Sequence, residues 1–173
     1  MKKIMFNYGL MKAVLVGRKT QTRRIVPKSS DITFVERNEI ESFIQLFSRY
    51  EEGEVVAVAQ SYKDAGCDFY FHRGLAGWNN KMFVRSDEMP HRIRITNVRV
   101  ERLQDISDED CLKEGIYESP EAPYNTKKYG CFNSNINVCS PREAFAILID
   151  KVSGKGTWDG NPWVFVYDFE LIK

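Results

Sequence analysis

Residues 163–172 read WVFVYDFELI, and this stretch decides the fold class. Its aromatic side chains fall on every second position, and because side chains alternate across a β-strand, they share one face. Valines alternate with them over the first half, so both faces are apolar there. We therefore predict a strand inside a sheet, with Trp163 or Phe165 contributing to the core.

Three earlier segments supply further strands. Residues 55–60 are rich in valine, and residues 81–85 are a shorter strand candidate. Residues 92–103 alternate apolar and polar side chains with one change of phase at 96–97. That pattern predicts a strand carrying a β-bulge.

Helix signals separate these strands. Apolar spacing predicts short helices before Gly17 and over residues 40–50. Ser107 and Ser140 each start an acidic or Pro-Arg-Glu turn, which predicts N-capped helices at 107–114 and 140–153. Without a regular strand-helix alternation or a Gly-rich phosphate loop, the fold class is α+β around a small mixed or closed sheet.

The composition fits one folded domain. The chain has 173 residues, 43% hydrophobic, which is enough for one core and short for two, so we expect a single domain over 1–173 with long loops at 61–80 and 117–139. A net charge of +1 excludes charge-driven disorder and a uniformly basic coat. No apolar run approaches the roughly 18 residues of a membrane span. We expect a soluble, cytoplasmic protein without a membrane partner.

Metal ions and cofactors are not predicted. The four cysteines lie too far apart for a zinc knuckle, and the two histidines form no HExxH motif. We therefore expect reduced thiols, no metal site and no cofactor.

The most basic stretch is residues 17–28, GRKTQTRRIVPK, with five cations and no acid. One interpretation is a cationic surface for a phosphate or a base, with arginines as planar bidentate donors. The other is a solvated basic edge strand.

Four motifs in order resemble a known family. They are LVGRKTQTRR at 15–24, EGEVVAV at 52–58, the strand from 95–103 running into ISDEDCLKEGI at 106–116, and NPWVFVYDFE at 161–170. Together they look like the ASCH domain, and the similarity is closest to its bacteriophage and prophage members.

The resemblance implies a PUA-like fold, a small mixed β-barrel with flanking short helices, and a cleft where the basic turn meets the barrel. Many ASCH proteins are regarded as RNA-binding modules. A small bacterial subset removes the acetyl group from N-acetylated cytidine with a lysine, a threonine and a glutamate, which match Lys19, Thr22 and Glu114 here. That subset consists of much shorter chains without the long loops.

The geometry of a β-strand bears on the match to the lysine, threonine and glutamate of the hydrolase subset. In an extended segment Lys19 and Thr22 point to opposite sides, so they meet only if the segment turns or bulges beside Gly17. Neighbouring arginines would lower the pKa of Lys19, as a catalytic base requires.

As candidates for binding a ligand or nucleic acid we name Arg18, Thr20, Arg23 and Arg24, together with Tyr62 and Trp78 beside the first long loop.

Three functions stay open from the sequence. The first is binding of RNA, or of a nucleotide or modified nucleoside, in a basic cleft. The second is amide hydrolysis of N-acetylated cytidine by the Lys19, Thr22 and Glu114 triad. The third is a phage protein-interaction module, which would require an exposed apolar patch.

Overall fold

The computed structural model describes residues 1–27, 39–120, 127–131 and 138–172. Lys28, which closes the basic stretch, and parts of the predicted loop at 117–139 lie outside the described residues. The described chain is a mixed α+β structure, as predicted.

Five strands form the main sheet in the order β1-β3-β4-β7-β2. Neighbouring strands are antiparallel except for β1 and β3, which run parallel. A separate antiparallel pair consists of β5 and β6. The strands are β1 (Lys3–Ile4), β2 (Gln21–Ile25), β3 (Val55–Val58), β4 (Arg92–Arg102), β5 (Ile116–Glu118), β6 (Tyr129–Cys131) and β7 (Trp163–Ile172).

Strand β7 lies between β4 and β2, which confirms the prediction of an internal strand. Phe165 and Tyr167 on one face and Val164 and Val166 on the other are at most 2% exposed. Each such apolar side chain contributes about 1.5–3 kcal/mol when buried. The strand predicted from the sequence therefore forms the centre of the core.

The predicted bulge is present in β4. The register of β4 against β7 shifts between Ile95 and Asn97. Ile93 and Ile95 are fully buried before the shift, and Val98 packs against the core after it. The bulge thus preserves the buried face of a strand whose sequence changes phase.

Serine side chains cap two of the described helices. Ser107 caps α4 by accepting a hydrogen bond from the Asp110 amide, and Ser140 caps α5 by accepting from Arg142 and Glu143. No helix in the described ranges is long and apolar enough to cross a membrane. The helices are α1 (Tyr8–Leu15), α2 (Ile40–Phe47), α3 (Phe69–His72), α4 (Asp108–Lys113), α5 (Pro141–Ser153) and α6 (Thr157–Gly160).

The strand predicted at 81–85 is wrong, and the loop predicted at 117–139 is wrong in part. Lys81–Phe83 is a 3₁₀-helix rather than a strand, because the Asn80 side chain accepts from the Met82 amide and starts a helical turn. The segment predicted as a loop at 117–139 contains part of β5 and all of β6. The sequence of these two strands has no apolar alternation from which they could be predicted.

In the described residues the sheet is not closed into a barrel, because β1 and β2 are its two edges. A side chain nevertheless connects these edges. Arg24 on β2 donates a hydrogen bond of 2.7 Å to the carbonyl of Met5, the residue that follows β1. The two edges therefore curve towards each other.

Candidate functional site

The chain enters β2 through a turn at Gly17. This glycine has a φ of +71°, in the left-handed region that favours glycine. The Lys19 amide then donates to the Ala13 carbonyl at 3.0 Å, and the Thr20 amide donates to the Lys113 carbonyl at 2.9 Å. These bonds hold the turn against the C-terminal end of α4.

Lys19 and Glu114 form a buried ion pair at this junction. The Lys19 ammonium donates to Glu114 Oε2 at 2.5 Å, to the Glu114 carbonyl at 2.8 Å and to the Gln21 carbonyl at 2.6 Å. Lys19 is 1% exposed and Glu114 is 4% exposed. Because an ammonium has three N–H donors, every donor has an acceptor in the protein.

Burial lowers the pKa of Lys19 below its ordinary value of 10.5. Desolvation penalises the charged ammonium by more than the Glu114 carboxylate stabilises it, and Arg24 and Arg23 act in the same direction. Each of the three ammonium protons of Lys19 is thus bound by one acceptor, yet the ammonium loses a proton more easily than that of an exposed lysine.

Arg23 is the centre of a larger set of ion pairs. Its Nε and Nη2 donate to Glu101 Oε1 at 3.0 and 2.5 Å, and Nη2 also donates to Asp110 at 3.1 Å. Its Nη1 donates to Glu114 Oε1 at 3.1 Å and to the Gln21 side chain at 2.5 Å. Burial alone would lower the pKa of Arg23, but Glu114 and Glu101 raise it. Arg23 is therefore a buried, permanently charged group.

Arg99 extends this set towards the surface. It donates to Glu101 at 3.1 Å, to Asp110 at 2.7 Å and to Asp168 at 2.7 Å. Gln21 Nε2 also donates to Asp168, at 2.6 Å. Three cations thus face four carboxylates. We call this set the ion-pair network; it consists of Lys19, Gln21, Arg23, Arg99, Glu101, Asp110, Glu114 and Asp168.

Arg24 points to the opposite side of β2. Its guanidinium lies 5.5 Å from the centre of the Phe6 ring, and the Lys19 ammonium lies 5.7 Å from the same centre. Burial lowers the pKa of Arg24 against the opposing effect of Glu114, but an arginine remains charged in a protein. Two cations of the basic stretch, Arg23 and Arg24, therefore lie on opposite sides of one strand.

Arg24 lines a groove of about 330 Å³. Three cations face it, Lys3, Arg24 and Arg49, and none of its described lining residues is acidic. We call it the Arg24 groove; its lining is Lys3, Met5, Arg24, Ile25, Pro27, Phe47, Arg49, Tyr50, Phe165 and Tyr167.

Two tyrosines fix the wall of the groove. Tyr50 donates to the Lys3 carbonyl at 3.0 Å, and the Tyr167 hydroxyl accepts from the Arg49 amide at 3.2 Å and lies 3.0 Å from Ser48 Oγ. The two rings meet edge to face at 5.2 Å. Burial raises the pKa of Tyr50, so it stays a neutral hydrogen-bond donor.

The structure brings together only part of the predicted triad. Lys19 and Glu114 are in contact, whereas no hydrogen bond among the described residues joins the Thr22 hydroxyl to either of them. Thr22 is 2% exposed and pairs with Tyr167 on the groove side of β2.

The predicted ligand-binding residues of the turn are spread over three environments. Arg18 is exposed, with its guanidinium 5.6 Å from the Tyr117 ring centre. Thr20 is half-buried, Arg23 is in the ion-pair network, and Arg24 lines the groove. Of these four residues, Arg24 is the one that lines a groove.

Tyr62 and Trp78 lie in a different part of the molecule. The Tyr62 hydroxyl donates to Glu88 at 2.5 Å and its ring lies 4.9 Å from that of His72. The Trp78 ring packs edge to face on Phe69 at 5.5 Å. None of these partners belongs to the ion-pair network or to the Arg24 groove.

The same part of the chain exposes large apolar side chains. Tyr70 is 88% exposed, Phe71 81% and Phe83 64%. The interaction-module hypothesis requires exposed apolar side chains of this kind, and that function stays a prediction.

The sequence alone did not indicate Lys3, Arg49 or Tyr50 as site residues. The Arg49-Tyr50 pair at the end of the helix predicted over residues 40–50 is the signal that could have pointed to the groove. Lys3 could not be found, because nothing local distinguishes it from Lys2.

Comparisons of the chain with models of protein families, with curated proteins and with solved structures find no match. Within the described ranges, no group of three or more His, Cys, Asp or Glu side chains is arranged to hold a metal ion. Chemistry at the site therefore has to be argued from its own geometry.

Proposed function

We propose that this protein is an ASCH domain protein with a PUA-like fold that binds RNA, or a nucleotide or modified nucleoside, through the Arg24 groove. One observation carries the proposal. The described lining combines three cations with aromatic rings and has no carboxylate, although the whole chain has a net charge of only +1.

The groove has the chemistry that a nucleotide requires. The guanidinium groups of Arg24 and Arg49 are planar donors that suit phosphate oxygens, and aromatic rings offer apolar surface to a base. Arg49 is exposed, and its guanidinium makes no hydrogen bond with the described residues. A volume of about 330 Å³ lies at the lower end of the roughly 300–1,000 Å³ typical of small-molecule sites.

The ion-pair network supports the groove from the other side of β2. Its three cations are neutralised by carboxylates, so it offers no net positive charge to a ligand. It fixes Gln21 and Arg23, and thereby holds the strand that presents Arg24. A rigid strand preorganises the binding side chain and reduces the entropy lost on binding.

The proposal includes a PUA-like barrel. Its support is the connection of the two edge strands through Arg24 and the Met5 carbonyl. The Phe6 and Phe169 rings, 6.0 Å apart, pack in the same region. A ligand cleft beside the basic turn is what the ASCH resemblance implies.

Binding of a fluorescent single-stranded RNA and of nucleoside monophosphates tests this function. We expect Arg24→Gln and Arg49→Gln each to weaken RNA binding roughly tenfold, because a hydrogen bond to a charged group contributes about 1.5–3 kcal/mol. The slope of log affinity against log salt should fall by roughly 0.7 for each phosphate that the variant no longer neutralises.

Arg94→Gln is the matched control, because Arg94 is an exposed arginine paired with Glu170 outside the groove. It removes the same charge and should leave affinity unchanged. Equal losses in all three variants, or no RNA or nucleotide binding at low ionic strength, would contradict a groove-specific site.

Amide hydrolysis of N-acetylated cytidine is the second candidate. The distance of 2.5 Å between Lys19 Nζ and Glu114 Oε2 and the lowered pKa of Lys19 favour it. To act as a base, Lys19 must first lose a proton, and Glu114 is the nearest acceptor. Against it, all three donors of the ammonium are engaged, and no hydrogen bond among the described residues joins Thr22 to Lys19 or Glu114.

Release of free cytidine from N-acetylcytidine tests this candidate. Lys19→Ala should remove most turnover, since general-base catalysis contributes about a hundred- to ten-thousand-fold. Thr22→Ser keeps the hydroxyl and should retain activity that Thr22→Ala loses. Equal activity in wild type and Lys19→Ala, with folding checked by circular dichroism, excludes the triad.

A further inference from the structure

A second groove, of about 660 Å³, continues from the Arg24 groove. Lys3 and Arg49 line both, so the two form one depression on the surface. The second groove is lined by Met1, Lys2, Lys3, Arg49, Arg85, Ser86 and Asp87.

Positive charge is concentrated along this depression. The two grooves together present five cations and one carboxylate among their described lining residues. The chain as a whole has 25 basic and 24 acidic residues, so this excess is local. We call the five cations the basic track; they are Lys2, Lys3, Arg24, Arg49 and Arg85.

The outer cations of the track are held by weak surface pairs. Arg85 bonds to Asp87 at 2.9 and 3.1 Å, and their side chains are 75% and 60% exposed. Lys2 bonds to Glu54 at 3.1 Å and is 44% exposed. Exposed pairs of this kind contribute about 0–1 kcal/mol, so a phosphate can replace the carboxylate at little expense.

We propose that the basic track binds a single-stranded polynucleotide, with one nucleotide in the Arg24 groove and the adjoining phosphates along Lys3, Arg49 and Arg85. This inference rests on the proposed function and deepens it, because it selects a chain of several nucleotides over a single one. A single strand is required, since a stacked and paired base of a duplex cannot enter a groove of about 330 Å³. Because Lys3 and Arg49 line both grooves, the phosphate of the next nucleotide lies beside that of the nucleotide in the Arg24 groove.

The length of the ligand is the variable that tests it. Affinity should rise from uridine monophosphate through di- and tetranucleotides to an octamer of uridine. Each further phosphate that the track neutralises should steepen the salt dependence by roughly 0.7 for single strands. Arg85→Gln and Lys2→Gln should lower the ratio of octamer to monophosphate affinity several-fold, and Asp87→Asn should raise it.

Arg24→Gln should weaken binding of both the uridine monophosphate and the octamer, and Arg94→Gln should weaken binding of neither. Equal affinity and salt slope for the monophosphate and the octamer overturn the inference and leave the nucleotide-binding function standing. Failure to bind either ligand overturns the proposed function itself. Tighter binding of the uridine octamer than of its deoxy counterpart assigns RNA, and equal binding of inorganic polyphosphate refutes recognition of a polynucleotide.

Discussion

Lys19 and Glu114 are 95 residues apart in sequence and share a hydrogen bond of 2.5 Å in the interior of the protein. The bond joins the turn before β2 to the end of α4. Removing both charges from water is expensive, so the pair is stable only because other bonds satisfy the remaining groups. Two backbone carbonyls accept from Lys19, and Arg23 donates to the second Glu114 oxygen.

Removing one member of this pair should be strongly destabilising. Glu114→Ala leaves Lys19 buried without its carboxylate and removes one of the three carboxylates that pair with Arg23. We expect a loss of about 3–5 kcal/mol in the free energy of unfolding. Lys19→Met should lose less, because Glu114 keeps Arg23 as a partner. Urea denaturation followed by circular dichroism measures both.

The exposed pair of Arg94 and Glu170 is the control, at 3.3 Å with side chains 52% and 58% exposed. Arg94→Ala should change the free energy of unfolding by less than about 1 kcal/mol. Similar effects of Glu114→Ala and Arg94→Ala would show that the buried pair has no special role.

The parts of the fold that the sequence predicted are encoded locally. The central strand follows from the alternation in residues 163–172, and the caps of α4 and α5 follow from Ser107 and Ser140. The bulge in β4 follows from a change of phase in its own residues. In each case neighbouring residues determine the backbone, so a single stretch is sufficient.

The parts it missed depend on contacts between distant segments. Arg23 was predicted to meet a ligand, but it is paired with Glu101, Asp110 and Glu114, which lie 78 to 91 residues away. The Arg24 groove combines residues from β1, β2, β7 and the segment after α2. No local pattern records such a combination, because it arises only when the sheet forms.

Acid should weaken the ion-pair network through Asp110. Burial would raise the pKa of Asp110, but hydrogen bonds from Lys113 and Arg23 lower it below the ordinary 3.8. As pH falls below about 3.8, the unfolded chain therefore takes up a proton that the folded chain does not, and stability falls. Well above that pH the contribution is complete.

Urea denaturation between pH 6 and pH 3 measures this effect. Asp110→Asn should be less stable than wild type at pH 6 and should lose less stability on acidification. Parallel decreases for the two proteins would mean that other carboxylates dominate the acid response.

Gly115 and Gly154 offer a test of how tightly the protein is packed where the end of α4 meets the turn beside Lys19. Their φ angles are +101° and +111°, so alanine at either position should lose about 1–3 kcal/mol through backbone strain. A Cβ at Gly115 would lie 3.4 Å from Leu10 Cδ2 and 3.6 Å from Lys19 Cβ, which is ordinary contact, and Gly154 is open.

We therefore expect Gly115→Ala and Gly154→Ala to lower the free energy of unfolding equally, to within about 0.5 kcal/mol. Thermal and urea unfolding of the two variants provide the comparison. A clearly larger loss at Gly115 would mean that the turn beside Lys19 cannot accommodate a methyl group.

Arg24 should hold the edge strand β1 in place, independently of any ligand. β1 has two residues and pairs with β3 through the Ala57 and Ala59 amides, which donate to the Lys2 and Ile4 carbonyls at 3.1 and 2.9 Å. So short a strand needs further contacts to stay paired.

The hydrogen bond of 2.7 Å from Arg24 to the Met5 carbonyl is such a contact. Its removal in Arg24→Gln should accelerate hydrogen exchange of the Ala57 and Ala59 amides roughly tenfold or more, because a bond from a charged donor contributes about 1.5–3 kcal/mol. Amides in the middle of β7 should exchange as in wild type, since that strand is paired on both sides. Faster exchange throughout the sheet would indicate global destabilisation instead, and unchanged exchange at Ala59 would show that β1 is held without Arg24.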